Sequence, residues 1–231
     1  MFFDPLYLLF VLPAFLLSAW ASWATRSRFE KWSRVANRQG VSGADVARYL
    51  LDQNGLSQVQ VVPVQGALSD HYDPRSRVVR LSEPVFYERS IASMAVAAHE
   101  TGHAIQHAHR YAPLALRSLA VPLAGIGSNL GMIIIVAGFL LSFTQLVWVG
   151  IALFGGTVLF QVITLPVELD ASSRAKAELA RLNMVSPDEQ RGVSAVLTAA
   201  AMTYVGAALS ALSTLAYYAL RASTMGQRRR S

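Results

Sequence analysis

The stretch "SLAVPLAGIGSNLGMIIIVAGFLLSFTQLVWVGIALFGGTVLFQVITLPV", residues 118–167, runs 50 positions without an Asp, Glu, Lys or Arg. A bilayer core about 30 Å thick needs about 20 helical residues per crossing, so this block has room for two. Its least apolar point near the middle, "SFTQ" at 142–145, reads as the turn of a helical hairpin. That reading decides the fold, because the chain on either side becomes membrane-flanking.

Two more blocks lack these four residue types, 5–25 and 192–220, each long enough for one crossing. Four spans are therefore expected, near 5–25, 122–141, 146–167 and 196–220. The composition agrees: 53% apolar and 15% charged residues, with a mean hydropathy of +0.37, is a membrane-protein profile. Ala19-Trp20-Ala21 fits a signal-peptide cleavage pattern, but Asp4 precedes the span without any basic residue. Arg26, Arg28, Lys31, Arg34 and Arg38 follow it, so a retained anchor with its N-terminus outside is expected.

The same charge rule, applied to Arg174–Arg181, places the polar stretch 26–115 in the cytoplasm. A fourth crossing then leaves Arg228, Arg229 and Arg230 outside, against the rule. The net charge of +6 does not point to nucleic acid, since the basic residues flank spans and suit anionic headgroups. The absence of cysteine excludes disulfides and thiol nucleophiles and leaves His and carboxylates as metal ligands. A transporter would carry ionisable residues within its spans, and the three blocks have none.

Within the polar stretch, "GVSGADVARYLLDQNGL" opens on a Ser42 cap signal and spaces Val46, Tyr49, Leu50 and Leu51 as one face of an amphipathic helix. It stops at Asn54-Gly55. "VQVVPVQG" and "RVVRLS" read as two short strands of a β-hairpin or small sheet, with Pro63 marking an edge or bulge. Residues 90–108 read as a helix, and "RLNMVSPDEQRG" as a charged linker.

Four of the five histidines fall in "AVAAHETGHAIQHAH", residues 95–109. In this HExxH pattern His99 and His103 are four residues apart, about 40° and 6 Å on a helix, so both imidazoles reach one ion. Glu100 beside them can take a proton from a water held there. His109 stands ten residues after His99, the metzincin spacing, but that class needs a glycine where this chain has Gln106. A continuing helix carries His109 about 15 Å along the axis, so His107 and His109 are expected to be bystanders. A carboxylate beyond the hairpin is the alternative third ligand. Glu168, the first charge after the 50-residue block, is the leading candidate, aimed by a bend at Pro166; Asp170 is the other.

At these residues the chain resembles the YugP-like neutral zinc metallopeptidases of bacterial membranes. The likeness rests on "GVSGADVARYLLDQNGL", "LSDHYDPRSRVVRLSEPVF", "AVAAHETGHAIQH", "APLALRSLAVP" and "LPVELDASSRA", in order along the chain. More distantly it is similar to HtpX-type gluzincin membrane proteases, where HExxH precedes a two-span hairpin and a glutamate ligand. The resemblance implies Zn2+ on His99, His103 and Glu168, with Glu100 as base. It departs at Ser172, where those distant relatives carry an aspartate that supports the ligands. It also implies that "RVVRLS" is the edge strand that pairs with an extended substrate. His71 and Tyr72 before it are candidates for oxyanion or substrate contacts, or for ordinary turn chemistry.

The expected fold is mainly α and polytopic: about four transmembrane helices plus a small zincin-like α+β cytoplasmic region. Its parts are an anchor at 1–25, a zincin-like region at 26–115, a hairpin carrying the third ligand at 116–180, and a linker with a C-terminal apolar helix at 181–231. The expected activity is zinc-dependent endopeptidase cleavage of membrane-associated proteins at the cytoplasmic face of the bacterial inner membrane. A metal-bound scaffold without catalysis is the alternative; the carboxylate at Glu100 argues against it.

Overall fold

The computed structural model describes residues 4–66 and 68–228. Four helices are long and apolar enough to cross a membrane: α1 (Pro5–Ser33), α5 (Ala112–Leu140), α6 (Thr144–Arg181) and α7 (Pro187–Arg228). Between α1 and α5 come α2 (Gly43–Gln53), β1 (Gln60–Val64), β2 (His71–Asp73), β3 (Val78–Ser82), α3 (Glu83–Tyr87) and α4 (Ile91–Ala108). At 1.5 Å per residue the 38 residues of α6 extend about 57 Å, well beyond a bilayer core. The chain forms two compact units, each with its own share of the long helices.

The first unit holds residues 4–20, 115–166 and 203–228. Its core is Ile135, Val147, Ile151, Phe154, Tyr217 and neighbours. Leu9, Leu119 and Leu140 are at least 70% exposed, as side chains facing lipid would be. At Gly131 an added Cβ would lie 2.8 Å from the Phe154 nitrogen, so α5 and α6 approach as closely as small residues allow. The hairpin turn comes slightly earlier than "SFTQ": α5 ends at Leu140, Ser142 takes a left-handed φ of 54°, and Thr144 already starts α6. Tyr217 Oη donates to Asp4 at 3.0 Å, Arg221 lies 3.5 Å from the same carboxylate, and Phe139 meets the Tyr218 ring. The start of α1, the hairpin turn and the last turns of α7 thus share one end of this unit. Arg229 and Arg230 lie outside the described residues.

The second unit holds residues 21–114, apart from 67, and 167–202. Ser42 and Asp45 form a reciprocal capping box at the start of α2. Val46, Leu50 and Leu51 are fully buried against α4, whereas Tyr49 is 42% exposed. The core also takes Ala175 and Leu179 from α6 and Val193, Val196 and Leu197 from α7, so the long helices contribute half a wall of it.

Of the two alternatives, the small sheet is what forms, and one expectation, the edge strand, is corrected. Its order is β1-β3-β2, with β1 parallel to β3 and β2 antiparallel, so the two valine-rich runs are not a hairpin with each other. The hairpin is β2–β3, closed by Asp73, which accepts from the Arg75 backbone N–H at 2.9 Å, Ser76 Oγ at 2.6 Å and Arg80 Nη1 at 3.0 Å. Those bonds hold the Asp73 carboxyl well below its ordinary range. The "RVVRLS" strand is therefore central, not an edge. Val78, Val79 and Leu81 are all buried in β3, and Arg80 between them reaches out to Asp73.

Candidate metal centre

The helix α4 begins at a Ser90–Ser93 capping box and is alanine-rich, which favours helix and permits close neighbours. It runs without a turn to Ala108 and is capped at His109. His109 consequently leaves the other histidines; its ring nitrogen lies 3.4 Å from Arg174.

His99 and His103 share a face of α4, their ring centroids 4.8 Å apart at an interplanar angle of 82°. Glu168 reaches them from α6 and is 2% exposed. Its Oε2 lies 3.2 Å from His99 Nε2 and 3.6 Å from His103 Nε2. Among the described residues these three form the group whose donor atoms all fall within 4.8 Å of one another. Zinc–nitrogen and zinc–oxygen bonds near 2.05 Å place tetrahedral ligands about 3.3 Å apart. The two separations bracket that value, and the donors are two imidazoles and a carboxylate, so the cluster fits zinc. Asp170 points elsewhere: its Oδ2 accepts from Gln106 at 2.7 Å and from Arg174.

The meeting of α4 and α6 depends on Gly102. A Cβ there would sit 2.6 Å from the Ala171 carbonyl oxygen, and Ala171 is less than one turn from Glu168. Any larger residue would push the carboxylate away from the imidazoles. Pro166 lies inside α6, which continues through it as one helix.

Each imidazole is held at its other nitrogen. Ser172 Oγ is 3.1 Å from His99 Nδ1, and Gln106 Oε1 is 3.0 Å from His103 Nδ1. The departure at Ser172 therefore leaves a polar contact in place. Gln106, completely buried, also donates through Nε2 to the Val167 carbonyl at 2.8 Å. In the sequence Gln106 bears only on the metzincin pattern, which it excludes. Its three-residue spacing from His103 on a helix was the signal available.

Burial lowers the basicity of His103, but the hydrogen bond to Glu168 and the charges of Glu100 and Glu168 outweigh it and raise its pKa. Glu100 is 7% exposed, and burial raises its pKa, opposed by the charges of His99 and His103 and reinforced by Glu168 and Asp70. Asp70 is also pushed up by burial, while accepting from the Ser82 backbone N–H at 2.7 Å and from Ser82 Oγ.

His71 is exposed and donates from Nδ1 to the Ser69 carbonyl at 2.8 Å, a local turn bond. Tyr72 is half-buried, and its hydroxyl meets His107 Nδ1 at 2.8 Å. His107 stays outside the metal cluster, as expected of a bystander, but it is half-buried and not exposed, and it ties β2 to α4.

Comparison with known proteins agrees with this arrangement. A family described as "Putative neutral zinc metallopeptidase" matches residues 7–223. The "Putative membrane protease YugP" of Bacillus subtilis (strain 168) is 48% identical over 207 residues, covering 90% of this chain and 92% of the relative. No solved structure matches. With the family match running through all four apolar helices and across the His99–His103–Glu168 cluster, the chain belongs to this neutral zinc metallopeptidase family of membrane proteins.

Proposed function

We propose that this chain is a zinc-dependent endopeptidase that cleaves membrane-associated proteins at the cytoplasmic face of the bacterial inner membrane. The observation that carries the reading is the tetrahedral-edge spacing of the Glu168 carboxylate from His99 and His103, with Glu100 buried next to them. His99 Nε2, His103 Nε2 and a Glu168 oxygen would hold the ion. Bound there, zinc supplies a Lewis acid that polarises a peptide carbonyl and lowers the pKa of water from 15.7 toward about 7.

The side chains then have separate tasks. Glu100 accepts the proton of the attacking water on its carboxylate and returns it to the leaving amine. Its burial suits this, since a raised carboxylate pKa brings it nearer to the operating pH. Ser172 and Gln106 hold the two imidazole rings in place. With β3 central, an extended substrate has the outer edge of β2, which packs on α4, as its pairing strand. The basic residues of 26–38 and 174–181 support the cytoplasmic orientation.

The test is cleavage of a peptide library by detergent-solubilised protein, read by mass spectrometry, with zinc content measured in parallel. Glu100→Gln is expected to retain zinc and to lose cleavage by a factor of about 10^2–10^4. Zinc binding in both proteins with cleavage in neither would instead favour the non-catalytic scaffold.

A further inference from the structure

The buried amide of Gln106 makes three contacts, and two of them face groups that can only accept. Its Nε2 lies 2.8 Å from the Val167 carbonyl oxygen and 2.7 Å from Asp170 Oδ2. A backbone carbonyl cannot donate, so the NH2 end must face α6. The amide oxygen is thereby turned toward His103, whose Nδ1 is 3.0 Å away. An amide oxygen in turn can only accept, so the hydrogen on that side belongs to the imidazole. His103 then carries a proton on Nδ1, so Nε2, the atom 3.6 Å from Glu168, is the nitrogen that would give its lone pair to a metal in place of a proton.

We infer that Gln106 is a positioning residue: oriented by the Val167 carbonyl and Asp170, it fixes the tautomer and ring direction of His103 so that Nε2 is the metal donor. The inference rests on the reading that His103 binds zinc. Arg174 anchors the far end of the chain by pairing with Asp170. The link joins α4 to α6 within one turn of Glu168, so one side chain sets both the angle of a ligand on one helix and the reach of a ligand on the other. Gln106 is 0% exposed, so its amide is shielded from bulk solvent.

The experiment is zinc affinity by competition with a chromophoric chelator on the full-length protein in detergent. Proton–nitrogen NMR on 15N-histidine-labelled protein accompanies it, tractable because there are only five histidines. Gln106→Met, of similar length but without the amide, is expected to weaken zinc binding about 10- to 100-fold and to remove the hydrogen-bonded Nδ1–H signal of His103.

Wild-type affinity in Gln106→Met would overturn the inference. So would weaker binding with the Nδ1–H signal of His103 retained and a lower unfolding temperature of the zinc-free protein, which marks general packing. If His103→Ala still binds zinc like wild type, the reading of His103 as a ligand fails instead, a result distinguishable from both.

Discussion

Ser172 Oγ stands 3.1 Å from His99 Nδ1, one helical turn beyond Glu168 on α6. The same turn of helix therefore supplies a carboxylate to one side of the cluster and a hydroxyl to the back of an imidazole. A neutral hydroxyl bonds an imidazole more weakly than a carboxylate would. Ser172→Ala is expected to weaken zinc binding several-fold, and Ser172→Asp to strengthen it, within the range typical of residues that support metal ligands. Chelator competition on the purified protein measures both, and equal affinity in all three proteins would remove Ser172 from the site.

Gly102→Ala offers a test in which two effects have opposite signs. Alanine is the better helix former by about 1 kcal/mol, so on an isolated helix the change would stabilise. Here the new methyl would meet the Ala171 carbonyl oxygen at 2.6 Å, and overpacking costs about 1–3 kcal/mol. The expected outcome is a lower unfolding temperature together with weaker zinc binding. A raised unfolding temperature would show that α4 and α6 are not pressed together at this point.

Asp73 makes stability depend on pH in a stated direction. Its folded pKa is held below the ordinary value by bonds from Ser76, Arg75 and Arg80. Its contribution is therefore present above the unfolded pKa near 3.9 and is lost as the pH falls through the lower folded value. Asp73→Asn is expected to cost about 1 kcal/mol at neutral pH, and the difference from wild type should shrink below about pH 4. Thermal unfolding at both pH values checks this; a deficit unchanged in acid would assign it to shape alone.

The shared end of the start of α1, the hairpin turn and the late turns of α7 gives a topology prediction. Because the chain has no cysteine, single replacements report cleanly. Ser142→Cys and Ser223→Cys should label with a membrane-impermeant maleimide from outside intact cells, and Arg75→Cys only after lysis. Labelling of Ser223→Cys from the cytoplasmic side alone would mean that α7 does not cross, and that the C-terminal arginines obey the charge rule after all.

The four apolar helices were legible because absence of charge over 20 or more residues has few physical explanations. The sheet was less so. A three-residue strand such as β2 has too little alternation to detect, and "SDHYDP" shows turn chemistry whether or not a strand precedes it. With β2 hidden, β3 looked like an edge. Around the metal cluster, Glu168 was conspicuous as the first charge after a long block, and Asp170 lay two positions away. Two residues on a helix are about 200° apart, so only one of them can reach the His99 and His103 rings, while the other meets Gln106 on the same helix. Which one depends on the rotation of α6, set by packing such as Gly102 on Ala171. The partner of Gln106 was beyond reach, since a carbonyl 61 residues downstream leaves no trace in side-chain pattern.

The order of the donors along the chain has a consequence for biosynthesis. His99, Glu100 and His103 leave the ribosome ahead of the 50 uncharged residues that precede Glu168. A nascent chain therefore holds both imidazoles but not the Glu168 carboxylate that meets them. The third donor arrives only after the whole hairpin has been made, and on the reading above only after it has turned back through the bilayer. A chain built this way cannot bring the three donors together until the hairpin between them has been made.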